Sequence, residues 1–288
     1  MEKDDELKIN WFPGHMTAAL RMMQAELKNC DLVIYMLDAR CAQSCLNPKF
    51  REFTDRRPVL FVLNKIDLAS HGTLELLEKS GVMRDITPNY SVVTMNSVAS
   101  NSRAKAIAAI QKAMAEKIAT YAARGVKRTI RCIVVGVTNC GKSTFINNLA
   151  GKAKAITGDR PGVTQSKLWL PVTDHLHIMD TPGTLWPSFD NRQVALNLAY
   201  VGSIRDEVMD LPAVTKCLIA DLERLSPGSV QARFGAVEFD DICRKRGYIL
   251  KGGVLDDDRA AKAILTEFRA GKLGKFNLDT LLESNGGT

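Results

Sequence analysis

No apolar run in this sequence approaches the roughly 20 residues that a membrane-spanning helix requires, so we expect no membrane partner. Residues 1–6 are mostly charged and contain no apolar stretch, which argues against a secretory signal or an Arg-rich transit peptide. The seven cysteines show no metal-ligand spacing, because Cys41 and Cys45 have no second pair at a similar distance. Together these absences favour a cytoplasmic protein with reduced thiols.

The remaining composition is that of an ordinary globular protein with an uneven distribution of charge. With 288 residues, 45% of them hydrophobic and 25% charged, the chain can form one or two domains with a buried core. The net charge is +7, and residues 101–170 carry 13 Lys or Arg against 2 Asp or Glu. A basic surface there favours a polyanion such as RNA, and a merely solvated helix face is the alternative. The basic residues outside the glycine-rich segments are Arg103, Lys105, Lys112, Lys117, Arg124, Lys127, Arg128 and Arg131.

Short apolar runs that alternate with helical patterns predict an α/β fold. Each run ends in a polar or glycine-containing segment, which is typical of buried strands in a largely parallel sheet with helices on both faces. The predicted strands are 31–38, 58–63, 90–95, 131–135 and 176–179, and the predicted helices are 104–123 and 143–150.

After Pro187 the pattern changes to helices separated by glycine and proline, with no predicted strand. We therefore divide the chain into an α/β domain, residues 1–187, and a small all-α domain, residues 188–288. The predicted helices of the second domain are 192–200, 212–224, 239–246 and 257–270.

A phosphate-binding loop is the strongest local signal. Residues 136–143, GVTNCGKS, fit G-x-x-x-x-G-K-S and stand between a predicted strand and a predicted helix. Glycine lets backbone N–H groups approach phosphate oxygens, Lys142 supplies charge to the β and γ phosphates, and the Ser143 hydroxyl is a Mg²⁺ ligand. The residues assigned to phosphate binding are Asn139, Cys140, Gly141, Lys142, Ser143 and Thr144.

Asn64, Lys65 and Asp67 belong to NKID, residues 64–67, which predicts recognition of guanine. The Asp67 carboxylate can accept from N1–H and N2–H₂ of guanine, and adenine offers no such pair of donors. The Asn64 amide can join neighbouring loops, and the stem of Lys65 can lie along the ring. The companion loop that follows the next strand is 96–99, NSVA, in which Ser97 and Val98 are assigned to nucleotide binding; a simple turn is the alternative.

The DTPG segment, residues 180–183, completes the set. We expect Asp180 to hold Mg²⁺ through water and the Gly183 N–H to sense the γ-phosphate. Between the two phosphate segments, Thr164 is the candidate for the switch threonine that closes on Mg²⁺, and an ordinary loop residue is the alternative.

Three further residues bear on hydrolysis. An amide oxygen from Asn139 can help to coordinate a monovalent cation such as K⁺ beside the phosphates, and a local loop hydrogen bond is the alternative. Thr184 follows DTPG where a glutamine orients water in Ras-type GTPases, and its side chain is too short for that task. His15 is therefore the candidate to position the water, although a lone histidine is more often structural. Cys140 lies beside Lys142, and inert packing is favoured over a reactive thiolate.

The order of these segments is unusual, because NKID precedes the phosphate loop and DTPG. The chain resembles the YlqF/RbgA family of circularly permuted GTPases, and the resemblance extends from Trp11 to Pro187. The matching segments are WFPGHM (11–16), LDAR (37–40), NP (47–48), GDRPGVT (158–164) and DTPGTLWP (180–187), and 245–253 is similar to the family's tail.

The resemblance implies a circularly permuted P-loop GTPase domain followed by an ANTAR-like, RNA-binding helical domain. It implies a GTP-hydrolysing switch that binds the immature large ribosomal subunit and its rRNA, promotes late assembly, and hydrolyses GTP faster on the ribosome. It also assigns the hydrolytic role to the histidine of GHM, His15, beside Lys142, Thr164 and Gly183. We expect Mg²⁺ and an activating K⁺ as cofactors and a monomer in a bacterial cytoplasm, with the mitochondrial matrix as the lesser alternative.

Two other functions are compatible with the sequence. The first is an rRNA-binding scaffold whose nucleotide site is mainly structural, which predicts turnover that ribosomal subunits do not raise. The second is a GTPase that acts on a protein partner, and steeply salt-dependent binding to rRNA would argue against it.

Overall fold

The computed structural model describes residues 15–50, 54, 57–126, 128–151, 169–185, 189 and 191–284, without the side chains of residues 15–20, 49, 283 and 284. A six-stranded sheet forms the centre of the α/β part, and the five predicted strands are confirmed to within one or two residues. The strands are β1 (Leu32–Asp38), β2 (Val59–Asn64), β3 (Tyr90–Thr94), β4 (Ile130–Gly136), β5 (Trp169–Thr173) and β6 (Leu176–Asp180).

The strand order is β3-β2-β1-β4-β6-β5, and all neighbours are parallel except β5 and β6. From β1 the chain moves outward through β2 to β3, returns to the middle as β4, and then fills the opposite side. The order of strands therefore reverses between β1 and β4, and the crevice at such a reversal is where open α/β sheets bind their ligands. The phosphate loop follows β4 at this point.

The edge strand β5 was not predicted from the sequence. Its residues alternate between buried and exposed positions, and Pro171 interrupts the run, so no apolar segment marks it. Proline is tolerated here because β6 is the one neighbour of this strand among the described residues, and the register shifts between Pro171 and Thr173.

The helices of the α/β part flank the sheet. The prediction of one helix over 104–123 is wrong, because the helix is interrupted at Met114 (φ −109°, ψ 10°). Met114 is buried, whereas the helix after it has no buried residue, so the bend lets Met114 enter the core. The helices are α1 (His15–Leu27), α2 (Thr73–Lys79), α3 (Val82–Ile86), α4 (Ser102–Ala113), α5 (Ala115–Ala123) and α6 (Lys142–Ala150).

The chain after residue 190 is helical, as predicted. Its four predicted helices are confirmed, and two short ones were missed because neither is long enough to show a helical period. No helix in the described parts of the chain has the length and apolar character needed to cross a bilayer. These helices are α7 (Arg192–Tyr200), α8 (Leu211–Leu225), α9 (Ser229–Phe234), α10 (Phe239–Arg246), α11 (Asp257–Arg269) and α12 (Thr280–Ser284).

Residues 278 and 279 form hydrogen bonds with the segment that follows β1. The buried Asp279 carboxylate accepts from the backbone N–H groups of Gln43 (2.7 Å) and Ser44 (3.1 Å) and from the Ser44 hydroxyl (2.7 Å). The Leu278 N–H donates to the carbonyl of Arg40 at 2.7 Å. The helical part therefore packs against the sheet end that carries the nucleotide motifs.

Asp279 is expected to make stability depend on pH. Burial raises the pKa of Asp279 to about 6, against the opposing effect of its hydrogen bonds from Ser44 and Gln43. Because the folded protein binds this proton more tightly than the unfolded chain does, protonated Asp279 adds to the free energy of unfolding. This contribution is fully present below about pH 4 and is lost as the pH rises to about 6, an effect of up to about 3 kcal/mol. Urea unfolding of the wild type and Asp279→Asn between these pH values measures it. A difference between the two free energies of unfolding that stays constant with pH would contradict the assignment.

Candidate nucleotide-binding site

The three motifs meet at one edge of the sheet. NKID follows β2, the phosphate loop follows β4 and DTPG follows β6, and all three strands are parallel. Because carboxyl ends of parallel strands share one edge, the motif residues converge there, as the sequence predicted.

Two glycines of the phosphate loop are required by its shape. A Cβ on Gly136 (φ 150°) would lie 2.5 Å from the carbonyl oxygen of Met36, and one on Gly141 (φ 99°) would collide with the Asn64 amide. The loop therefore runs directly against β1 and NKID, and α6 begins immediately after Gly141 with its N–H groups at the loop.

Lys142 lies inside the curve of the loop. Its ammonium group donates to the carbonyls of Val137 (2.7 Å) and Gly136 (3.1 Å), and the side chain is buried. Phosphate oxygens in the loop would offer this ammonium stronger, charged acceptors in place of the two carbonyls.

Asn64 joins three loops. Its Nδ2 donates to the Cys140 carbonyl (2.9 Å), and its Oδ1 accepts from the Ser97 N–H (3.0 Å) and hydroxyl (2.8 Å). The sequence predicted that Asn64 would join loops, and Ser97 now has a defined bond to it. Val98 is highly exposed, and its N–H donates to Asn96 Oδ1 at 3.0 Å.

The lysine of NKID is held by a buried carboxylate. Lys65 Nζ donates to Asp38 Oδ2 (2.8 Å) and to the Asn139 carbonyl (2.6 Å), while its backbone is left-handed (φ 57°). Asp38 also accepts from Nε (2.9 Å) and NH2 (2.8 Å) of Arg40, and both side chains are buried. Burial alone would raise the pKa of Asp38, but Arg40 and Lys65 outweigh it and hold that pKa at about 2.

Sequence reasoning did not assign a role to Asp38 or Arg40. Both belong to LDAR, which was noted only as part of the family resemblance. The signal that could have identified Asp38 is its position, because a carboxylate at the carboxyl end of a central strand faces the ligand crevice. Asp67 itself is exposed and has no hydrogen bond within the described parts of the chain.

The residues proposed for Mg²⁺ have the right donors. Asp180 Oδ1 is buried and has no hydrogen-bond partner among the described residues. Burial raises the pKa of Asp180, and the nearby Lys142 opposes that shift. Ser143 is half-buried in the first turn of α6. A carboxylate and a hydroxyl are oxygen donors that Mg²⁺ accepts, and an unpartnered buried carboxylate oxygen needs such a partner.

The glycine of DTPG lies against the phosphate loop. A Cβ on Gly183 would lie 2.7 Å from Thr138 Cγ2, so a larger residue would displace the loop. The next N–H, of Thr184, donates to the Gly136 carbonyl at 3.3 Å. The Thr184 hydroxyl is fully buried and has no hydrogen-bond partner within the described chain.

Asn139 contacts the helical part of the chain. It has a left-handed backbone (φ 56°), and its Nδ2 donates to the Gly202 carbonyl at 2.5 Å. This bond uses the amide nitrogen, and none of the described residues donates to its oxygen, which suits the predicted cation ligand. Cys140 is fully buried, and burial raises the pKa of its thiol, in keeping with inert packing.

The other predicted site residues are placed only in part. Thr144 is exposed in the first turn of α6. Thr164 lies outside the described residues, as do residues 11–14 of WFPGHM. His15 begins α1, but its side chain is not among those described. Their assigned roles therefore stay predictions.

This edge of the sheet defines a class of protein. A phosphate loop, a DxxG segment and a guanine-reading NKID around one crevice belong to the P-loop GTPases, and their order along the chain makes this one circularly permuted.

Known proteins share this arrangement. Residues 131–221 match the family "50S ribosome-binding GTPase". The chain is 37% identical to "Ribosome biogenesis GTPase A" of Bacillus cereus, with 94% of each chain covered, and 30% identical to that of Thermotoga maritima, also over 94% of each. It is 30% identical to "Mitochondrial ribosome-associated GTPase 1" of Mus musculus, over 93% of this chain and 89% of the relative.

Solved structures agree with these sequence comparisons. A GDP-bound YlqF structure gives a TM-score of 0.62 at 26% identity, covering 90% of this chain and 98% of that one. The GNP-bound YlqF of T. maritima gives 0.61 at 25% identity, covering 89% and 95%. The chain belongs to the ribosome biogenesis GTPase A family, and it is a GTPase.

Proposed function

We propose that this protein is a GTP-driven switch that binds the immature large ribosomal subunit and promotes its late assembly. The observation that carries the guanine-nucleotide part is the set of Asn64 hydrogen bonds, which joins NKID, the companion loop and the phosphate loop at one crevice. The names of its relatives, ribosome biogenesis and ribosome-associated GTPases, support the ribosomal part.

Guanine is read by NKID and the companion loop. The Asp67 carboxylate accepts from the base, and the stem of Lys65, whose ammonium group is held by Asp38 and the Asn139 carbonyl, lies along the ring. Ser97 keeps the companion loop in place through Asn64, and the Val98 N–H is a donor for the base once it leaves Asn96.

The phosphates are bound by the loop and its cations. The phosphate-binding residues are Asn139, Cys140, Gly141, Lys142, Ser143 and Thr144. Ser143 and Thr164 would hold Mg²⁺, with Asp180 acting through water, and the bound ion would neutralise charge on the phosphate oxygens. Asn139 offers its amide oxygen to K⁺.

Hydrolysis needs a group that Thr184 cannot supply. Lys142 stabilises charge on the phosphates, Gly183 and Thr164 sense the γ-phosphate, and His15 positions the attacking water. Because Thr184 is buried, we expect slow intrinsic hydrolysis that the ribosome accelerates.

The surface for rRNA combines the basic helices and the helical domain 188–288. Half of the eight basic residues named from the sequence contact other parts of the protein. Fewer of them are therefore free to bind RNA. Arg103 donates to two carbonyls, Lys117 pairs with Asp31, and Arg128 and Arg131 lie over the rings of Tyr121 and Trp169. Among the described residues of this set, Lys105, Lys112 and Arg124 are exposed and remain for RNA phosphates, and Lys127 lies outside the described residues. We expect a monomer in a bacterial cytoplasm.

Steady-state GTP hydrolysis tests the proposal. Rates are measured with and without purified large ribosomal subunits, in K⁺ and in Na⁺, for the wild type, His15→Ala and the control His71→Ala. His71 is an exposed histidine outside the site. We expect subunits to raise the rate, more in K⁺ than in Na⁺, and His15→Ala to lower the stimulated rate by about 10²-fold, as loss of a general base or water-positioning group does. His71→Ala should behave as the wild type.

The other results separate the alternatives. Stimulation that survives His15→Ala would leave the chemistry with another group. Equal rates in K⁺ and Na⁺ would remove the cation role of Asn139. A rate that subunits fail to raise in either salt would contradict the assembly switch and favour the rRNA-binding scaffold.

A further inference from the structure

Hydrogen bonds connect both nucleotide loops to the helical part of the chain, and Arg269 takes part in both connections. Arg269 ends α11, and its side chain is about three-quarters buried, with 24% exposed. Arg269 thus lies outside the nucleotide motifs and still contacts the segments that hold them.

The first connection runs from the Arg269 side chain to the phosphate loop. Its Nε donates to the Tyr200 carbonyl (3.0 Å) and its NH2 to the Ala199 carbonyl (3.0 Å). Both terminal nitrogens also donate to the Asp206 carboxylate, at 2.9 and 2.8 Å. A single guanidinium thus holds both ends of the turn 199–206, which begins with the last two residues of α7.

That turn holds the phosphate loop directly. The Gly202 carbonyl accepts from Asn139 Nδ2, and the Ser203 hydroxyl donates to the Thr138 carbonyl at 2.9 Å. The Thr138 hydroxyl in turn donates to the Ser203 carbonyl. Gly202 has a left-handed backbone (φ 78°), and a Cβ there would lie 3.1 Å from Arg269 Nε, so the guanidinium packs closely on the turn.

The second connection runs from the Arg269 backbone to NKID. Its carbonyl accepts from NH1 of Arg40 at 3.3 Å, and Arg40 also lies over the ring of Phe268. Arg40 is paired with Asp38, which holds the ammonium of Lys65. Two residues, Arg40 and Asp38, therefore connect the end of α11 to the lysine of NKID through three contacts.

We propose that Arg269 is a positioning residue through which the helical part of the chain sets the affinity for guanine nucleotide. It fixes the turn that orients Asn139 and Thr138, and its carbonyl supports the Arg40–Asp38 pair that orients Lys65. A partner that moves α11 loosens both loops together, and by reciprocity a bound nucleotide stabilises the end of α11. This inference rests on the proposed nucleotide site.

Arg269→Ala tests the side-chain route, because it leaves the buried Arg40–Asp38 pair in place. The matched control is Arg233→Ala. It removes one positive charge and breaks the ion pair of Arg233, in α9, with Glu267 of α11, the helix that also carries Arg269, at 2.6 Å. Among the described residues, the hydrogen bonds and ion pairs of Arg233 beyond its own helix go to Glu267 and Arg246, and none goes to NKID or the phosphate loop. We expect Arg269→Ala to weaken GDP binding by about tenfold, within the usual range of coupling between sites, and Arg233→Ala to change it less than about twofold. Binding is measured by titration with GDP, with urea unfolding of each variant beside it.

A second variant and a hydrogen-exchange experiment test the same coupling independently. Asp206→Asn weakens the ion pair between Arg269 and Asp206 while keeping the Arg269 side chain. We therefore expect an intermediate loss of GDP affinity, and this variant gives a result even if Arg269→Ala folds poorly. Hydrogen exchange of residues 199–206 should slow when GDP binds the wild type and should not slow in Arg269→Ala.

The failures are distinguishable. Equal losses of GDP affinity in Arg269→Ala and Arg233→Ala, or unchanged affinity in both Arg269→Ala and Asp206→Asn, would overturn the coupling and leave the nucleotide site standing. A wild type that binds ADP as well as GDP would overturn the guanine site and this inference with it.

Discussion

Replacing Asp67 by asparagine is expected to exchange a preference for guanine for a preference for xanthine. The carboxylate can accept both the N1–H and N2–H₂ donors of guanine, whereas asparagine presents one acceptor and one donor. Its NH₂ group opposes the guanine amino group but matches the carbonyl that xanthine carries at the same position. Because unpaired polar groups at a base site are costly, GDP affinity should fall by about 10²–10⁴-fold. Competition of GDP and XDP against a fluorescent nucleotide measures the change.

Asp67→Asn should leave folding nearly unchanged, because Asp67 is exposed and unpartnered among the described residues. Asp174→Asn is a suitable control, since Asp174 is exposed in the turn between β5 and β6. If Asp67→Asn retains wild-type affinity for GDP and gains none for XDP, another residue reads the base. Equal losses for both nucleotides would point to a steric change of the loop.

The parts of the site that the sequence predicted are those whose chemistry is local. The glycines at 136 and 141, Lys142 and Ser143 follow from what phosphate binding demands of one short loop between a strand and a helix. Strand ends could be predicted because buried parallel strands are near-continuous apolar runs. These two signals together predict that the three motifs lie at one edge of the sheet.

The parts that the sequence could not predict depend on contacts between distant residues. Asp279 and Ser44 are 235 positions apart, and Asn139 and Gly202 are 63 apart. Such pairs leave no periodic pattern in either segment. The same reason hides β5, whose half-exposed residues acquire their meaning only from pairing with β6. His15, Thr164 and the K⁺ site stay predictions.

Removal of the Arg40 side chain is expected to cause the largest loss of stability among the substitutions considered. Arg40→Ala leaves the fully buried Asp38 with Lys65 as its remaining cation. Because one cation no longer balances a buried carboxylate that two held before, the cost should approach about 3–5 kcal/mol, the range for breaking a buried pair. It also removes the contact of Arg40 with the Arg269 carbonyl. The free energy of unfolding in urea at neutral pH, with and without GDP, measures the effect.

The pH dependence of this loss identifies Asp38 as its source. The folded-state pKa of Asp38, about 2, lies below its value in the unfolded chain, so its contribution to stability is present above about pH 4 and is lost as the pH falls toward 2. Without Arg40 that pKa must rise, and acid unfolding should begin at a higher pH than in the wild type. Arg233→Ala, which opens the more exposed pair with Glu267, should cost far less and leave the acid transition near its wild-type position. If the two variants lose equal stability, Asp38 is adequately held by Lys65, and the route from α11 to Lys65 loses its central contact.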